Sequence, residues 1–276
     1  MKRIKMVGLD LDGTLLNEKK EVTPYTRAVL EKAIAQGIHI VISTGRPITG
    51  VPKELLELPG TRYVITSNGG RIIDMETGEL IYDNPVPHDI AREVLKIVFD
   101  YETLKEIYFD GQGYVPQDEL DHIEKYVPRI PVQEYILRTR KPIVDIWEKM
   151  DEMDGKGVDK VHAIFARESE VELARERIKA LNSVVISGSI GSNLEMNAPG
   201  VHKGNGLLAL GKILGITREE IMACGDGGND LEMIKAVGFG VAMENAIEEV
   251  KAAADYITCS NEEDGVAKAI EKFVFQ

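Results

Sequence analysis

Two aspartates one residue apart, Asp10 and Asp12, stand in the segment Asp10-Leu11-Asp12-Gly13-Thr14, directly after the apolar run Ile4–Leu9. A strand that ends in such a pair and a Gly-Thr turn brings a nucleophile and a proton carrier to one point. Gly13 suits the turn because it tolerates backbone angles that other residues avoid. Carboxylates this close repel one another unless a cation lies between them. The segment therefore implies a hard divalent metal such as Mg²⁺, which takes oxygen ligands. An acidic turn after a core strand would have the same local sequence, and the rest of the chain decides between the two.

Three further groups fall at strand ends or helix starts: Ser43-Thr44-Gly45-Arg46, Lys203 just after Pro199-Gly200, and Gly225-Asp226-Gly227-Gly228-Asn229-Asp230. Singly, Thr44 reads as a turn hydroxyl, Lys203 as a helix-surface lysine and the glycine-rich loop as a tight turn with an N-cap. Together they supply a hydroxyl, a fixed cation and more carboxylates where ligands bind in open α/β sheets, at the carboxyl ends of the strands. Asn68, in Ser67-Asn68-Gly69-Gly70, also ends a strand, and Arg46 follows Gly45. Both are candidate substrate contacts.

The elements that position these residues form three stretches. From 1 to 83 apolar runs (Ile4–Leu9, Ile38–Ser43, Tyr63–Thr66) alternate with helical patterns. The first helix opens on Thr23 and Pro24 and closes at Gly37. Continuous apolar runs of this kind are buried on both faces of a parallel sheet, and Arg71–Asp74 with Glu79–Asp83 reads as a hairpin. From 84 to 191 prolines are frequent and the strand candidates Leu104–Phe109 and Val158–Phe165 alternate in polarity. This predicts a half-buried antiparallel sheet with helices over Asp89–Asp100 and Ser169–Leu181, and a polar-aromatic loop from Tyr108 to Tyr114. From 192 to 276 the α/β pattern resumes, with strands at Ile221–Cys224, Phe239–Met243 and Tyr256–Thr258 and a closing helix over Gly265–Phe273. Thr217-Arg218-Glu219-Glu220 fits a capping box. The expected fold is a Rossmann-like, doubly wound α/β core split into 1–83 and 192–276, with an inserted α+β domain at 84–191.

Composition narrows the partners. Lys+Arg 33 against Asp+Glu 46 gives a net charge of −13, which carries no footprint for nucleic acid or an anionic membrane surface. Cys224 and Cys259 lie in apolar runs without metal-ligand spacing and read as core residues in a reducing compartment. The five histidines show no ligand spacing either. With no long apolar stretch and no cleavable signal pattern, the chain is expected to be soluble and cytoplasmic.

The four groups, in this order, resemble the four motifs of the haloacid dehalogenase-like phosphatases, and the insert after the second motif is similar to the Cof-type, type IIB cap branch. His202 stands where Asn is more usual before the lysine, and Gly227-Gly228 replaces bulkier residues in the fourth motif. The resemblance implies that Asp10 attacks phosphorus to form an aspartyl-phosphate and that Asp12 protonates the leaving group and then activates water. It implies Mg²⁺ between Asp10, the backbone carbonyl of Asp12 and Asp226. Thr44, the backbone N–H groups of Leu11 and Gly45, Lys203 and Asn229 would hold the phosphoryl oxygens, with Asp230 supporting Lys203 or the metal's waters. The substrate implied is a small phosphorylated metabolite, foremost a sugar phosphate, with phosphorylated cofactors such as pyridoxal phosphate or flavin mononucleotide behind it. A phosphomutase shares the same core. A phospho-receiver module would use a similar acidic pair, Thr and Lys, but has no inserted domain, and an ion pump would need apolar spans.

Overall fold

The computed structural model describes residues 3–187 and 191–275. Its strands are β1 Met6–Leu9, β2 His39–Ser43, β3 Tyr63–Thr66, β4 Arg71–Asp74, β5 Glu79–Asp83, β6 Thr103–Phe109, β7 Gln112–Pro116, β8 Arg140–Ile143, β9 Lys160–Phe165, β10 Val185–Ser187, β11 Asn193–Asn197, β12 Ile221–Gly225, β13 Phe239–Ala242 and β14 Tyr256–Ile257. The chain divides into two compact units, one of Met1–Gly45, Val51–Asp83 and His202–Gln276, the other of Arg46–Gly50 and Asn84–Val201. Among the described residues no helix is long and apolar enough to cross a membrane.

The first unit carries an eight-stranded sheet in the order β14-β13-β12-β1-β2-β3-β4-β5. It is parallel from β14 to β3, and the last two strands form an antiparallel edge. β1 and β12 are buried along their whole length, as apolar runs covered on both faces must be. The register does the positioning. Leu9 lies opposite both Cys224 and Ile42, so Asp10 leaves the sheet beside Gly225-Asp226 on one side and Ser43-Thr44 on the other. The helix Lys203–Leu214 packs close over β1: a Cβ on Gly8 would lie 2.4 Å from Leu207. His202 caps that helix, its Nδ1 accepting from the Asn205 N–H at 3.3 Å, and Gly215 ends it in the left-handed region. The capping box at Thr217–Glu220 is present. Cys224 is buried and Cys259 half-buried, both as free thiols.

The second unit holds a six-stranded sheet in the order β10-β11-β9-β6-β7-β8, antiparallel except for β7 with β8. Three expectations change here. The α/β pattern was expected to resume at residue 192, yet β11 pairs with β9 and β10 in this sheet, so the chain returns to the first unit only after Val201. The reason is packing: Leu194 and Met196 join Val161, Ala163 and Phe165 in one apolar cluster. Residues 108–114 are a hairpin instead of a loop. Asp110 and Gly111 take positive φ (48° and 73°), the requirement of a two-residue turn that matches strand twist. Finally, β9 is buried throughout rather than half-buried.

Its polar residues are buried as partners. Arg140 Nε donates to Glu106 Oε2 at 2.7 Å, Tyr108 OH donates to the same carboxylate, and Lys160 Nζ donates to Glu195 Oε2 at 2.6 Å. Burial alone would raise the Glu106 pKa, but Arg140, with His162 and Tyr108, outweighs it and holds the carboxyl well below its usual range. Breaking such a pair leaves an uncompensated buried charge. Glu106→Gln is therefore expected to destabilise the protein by about 3–5 kcal/mol, since Arg140 stays charged. Chemical denaturation checks this; a loss within about 1 kcal/mol, the range of a surface pair, would refute it.

Candidate active site

Lys203 is the centre of the cluster. Its Nζ lies 2.5 Å from Asp10 Oδ1 and 2.7 Å from Asp230 Oδ1, with its side chain 1% exposed. Asp230 is fixed from the other side, because its Oδ2 accepts from the Asp226 and Gly227 N–H groups at 3.0 and 2.9 Å. Thr14 Oγ1 donates to Asp226 Oδ1 at 2.6 Å. Gly13 has to be glycine twice over: its φ is +85°, and a Cβ there would sit 2.3 Å from Asp226 Oδ2. The segment's glycine thus lets Asp226 come up beside Asp10.

Thr44 is buried beside Asp10's strand end; its N–H donates to Ile65 O at 2.9 Å and its carbonyl accepts from the Asn68 N–H at 3.0 Å. Ser67, Asn68 and Gly69 run through successive positive φ values of 51°, 60° and 100°. Left-handed backbone is costly for non-glycine residues, and here it turns Asn68 back against the second motif. A Cβ on Gly45 would lie 2.6 Å from Asn68 Oδ1, so the two candidate residues are direct neighbours. Leu11 is fully buried, and its carbonyl accepts from the Leu16 N–H at 2.8 Å. Asn229 sits half-buried in the short turn Gly228–Asp230. Arg46 belongs instead to the second unit, where its Nη1 donates to Gly50 O at 2.8 Å and its guanidinium lies 4.7 Å from the Tyr135 ring.

Asp12 is the exception to burial. Its side chain is 43% exposed, and Lys20 Nζ lies 2.7 Å from its Oδ1. Lys20 is missing from the sequence reading, as is Asn245, whose Nδ2 donates to Gly13 O at 2.7 Å. No spacing rule marks either residue: one folds back through an irregular turn, and the other comes from 232 residues away.

The acidic cluster fits a hard cation. Ligand atoms of Asp10, Asp226 and Asp230 all lie within 4.8 Å of one another. Asp230 spends both oxygens on Lys203 and backbone N–H groups, and Asp10 and Asp226 each give only Oδ1 to the bonds above. Oδ2 of Asp10 and of Asp226 carries none of them, so these two are the better ligands and Asp230 the support. Burial, then Asp230, pushes the Asp10 carboxyl up to about 8 against the pull of Lys203. Burial likewise pushes Asp226 up to about 6. Carboxyls raised in this way are poised for a cation that would return them to the ionised state.

A sequence model described as haloacid dehalogenase-like hydrolase matches residues 7–270. Among curated proteins, the Bacillus subtilis 5-amino-6-(5-phospho-D-ribitylamino)uracil phosphatase YcsE is 32% identical, over 98% of this chain and 96% of its own. Phosphatase YwpJ of the same organism is 30% identical over 96% and 98%. Among solved structures, the subclass IIB sugar phosphatase BT4131 superposes with a TM-score of 0.83 at 28% identity, over 98% of each chain. A haloacid dehalogenase-like hydrolase from Bacteroides thetaiotaomicron gives 0.82 at 32%, covering 98% of this chain and 99% of its own. By sequence along nearly its whole length and by fold, the chain belongs to the haloacid dehalogenase-like hydrolases, in their Cof-type phosphatase branch.

Proposed function

We propose that the protein is a Mg²⁺-dependent phosphatase of small phosphorylated metabolites, foremost sugar or sugar-alcohol phosphates, working through an aspartyl-phosphate on Asp10. The observation that carries this reading is the buried Lys203 clamped between Asp10 and Asp230, with Asp226 alongside. Lys203 donates to the Asp10 carboxylate at 2.5 Å and holds it in place, which supports its in-line attack on phosphorus. Asp12, exposed at the strand end, protonates the departing alkoxide and then takes a proton from the water that hydrolyses the acyl phosphate. Asp10, Asp226 and the Asp12 carbonyl would hold Mg²⁺, which when bound supplies neutralising charge on the transferred phosphoryl group. Thr44, the Leu11 and Gly45 N–H groups, Lys203 and Asn229 would bind the phosphoryl oxygens, and Asn68 beside Gly45 would line the same pocket. The second unit, including Arg46, would read the leaving group, and the setting is cytoplasmic.

The sugar-alcohol arm rests on YcsE, whose named substrate is a phosphorylated ribityl compound. A phosphate-release screen over sugar phosphates, sugar-alcohol phosphates, pyridoxal phosphate and flavin mononucleotide, with Mg²⁺ or with chelator, tests the proposal. The expected result is release from sugar or sugar-alcohol phosphates that chelation abolishes. Isomerised sugar phosphate without free phosphate would mark a mutase, a stable acyl phosphate without turnover would mark a receiver, and full activity in chelator would remove the metal.

A further inference from the structure

Lys20 occupies a position that fold stability does not explain. Its backbone lies in the left-handed region at φ 63°, where a side chain costs roughly 1 kcal/mol or more and Gly or Asn would sit better. Its ion pair with Asp12 is solvent-exposed on both sides, at 57% and 43%. Exposed pairs contribute little to stability. Local backbone strain that brings no stability points to function.

The surroundings show how the lysine is aimed. The Asn17 N–H donates to Glu21 O at 3.1 Å, the Lys20 N–H to Asn17 O at 2.9 Å, and the Glu21 N–H to the Asn17 side chain at 2.9 Å. This closed turn sends Lys20 back toward the strand end. The stretch before it is tied down from the C-terminal part of the same unit. Asn245 donates to Gly13 O at 2.7 Å, Asn261 Nδ2 donates to Leu16 O at 2.8 Å, and the Glu18 N–H donates to Glu262 Oε1 at 2.6 Å. Asn261 N–H in turn donates to Asn245 Oδ1 at 3.0 Å, which makes the two asparagines one brace. Both the residue that carries the carboxylate and the turn that carries the ammonium are held to a common frame.

We infer that Lys20 is a positioning residue for Asp12: its ammonium fixes the carboxyl in the orientation needed for proton transfer to and from the reacting oxygens. This rests on the assignment of Asp12 as the acid and base. The proton still passes between Asp12 and the leaving oxygen, and then from water to Asp12; Lys20 keeps its own proton throughout. The consequence is selective. A leaving group that departs as a stable anion needs no proton, whereas an alkoxide does. Losing Lys20 therefore slows departure of an alkoxide but not of a stable anion. The difference is read in kcat/KM, which reports the steps through leaving-group departure and not the shared hydrolysis of the aspartyl-phosphate.

The test compares Lys20→Gly, Lys20→Met and Lys20→Arg with Asp12→Asn, each on a sugar phosphate and on p-nitrophenyl phosphate. Lys20→Gly relaxes the left-handed backbone while deleting the charge, so it separates the turn's needs from the carboxylate's. Expected is a fall of about tenfold in kcat/KM on the sugar phosphate for Gly and Met, the size of a modest misplacement of a catalytic group. The kcat/KM for p-nitrophenyl phosphate should stay within about twofold, kcat should fall on both substrates to the extent that hydrolysis of the aspartyl-phosphate limits turnover, and Arg should recover most of the loss. Equal losses of kcat/KM on both substrates, no loss on either, or Met performing as well as Arg would overturn the inference. Asp12→Asn with wild-type turnover of the sugar phosphate would overturn the assignment of Asp12 itself. Inactive Asp12→Asn beside unaffected Lys20→Gly would overturn only the role of Lys20.

Discussion

Asp10→Asn is expected to lower kcat by at least about 10³-fold, close to 4 kcal/mol of barrier, while leaving the protein as stable as the parent or more so. An amide oxygen cannot open the covalent route by attacking phosphorus, and the two carboxylates that cluster with it are already engaged: Asp230 is tied to Lys203 and two backbone N–H groups, and Asp226 to Thr14. The stability half of the expectation follows from the burial that raises the Asp10 pKa to about 8. A neutral amide of the same shape avoids that cost, can still accept from Lys203, and leaves the lysine balanced by Asp230. Steady-state kinetics and thermal denaturation of one preparation check both halves. A variant that keeps more than a tenth of the parent's kcat would show that Asp10 is not the nucleophile. A variant that is inactive and also unfolded would show that the charge serves the fold.

The candidate site in the first unit was legible because the residues that could do its chemistry stand at strand ends. Apolar runs such as Ile4–Leu9 and Ile221–Cys224 announce buried parallel strands. The Asp, Gly and Asn residues that follow them, ordinary turn residues singly, stand out because they recur at several strand ends together with Thr44 and Lys203. Register then does the rest: once Leu9 faces Cys224 and Ile42, Asp10, Asp226 and Thr44 have to meet. The second unit was less legible. β8 and β10 are short, with Pro142 inside one and only three residues in the other, so their sequences carry no alternation to read. β11 has no counterpart in the sequence analysis and lies past the expected boundary at 191, because Asn193-Leu194-Glu195-Met196-Asn197 buries its polar residues too. Polarity alternation marks a solvated face, and here that face is filled by side chains such as Lys160, which pairs with Glu195. Lys20 and Asn245 were invisible for another reason. Their roles depend on where an irregular turn and a distant loop come to rest, which is a property of the packed fold alone.

Lys203→Met is expected to cripple both activity and stability, and the stability loss should depend on pH in a direction that the site's electrostatics fixes. The lysine is the cation nearest three carboxylates, and removing one partner of a buried ionic cluster costs about 3–5 kcal/mol. That cost applies only while the carboxylates are ionised. Asp10 and Asp226, raised to about 8 and about 6, bind protons in the folded protein at pH values where the unfolded chain, with a carboxyl pKa of about 3.9, has lost them. More protons on the folded state means that stability falls as pH rises. Their contribution is complete below about pH 4 and is lost as pH climbs through the two folded values. In the parent, Lys203 limits this loss by favouring the ionised forms. Without it both carboxyls titrate higher still, so the variant should approach the parent's melting temperature near pH 5 and fall furthest below it near pH 8. In the proposed site Mg²⁺ would bind the ionised carboxylates, so its stabilisation of either protein should grow over the same interval. Melting curves at the two pH values, with chelator and with Mg²⁺, decide the matter. If the gap between variant and parent is the same at both pH values, the lysine holds the helix start by packing alone and the carboxylate cluster does not depend on its charge.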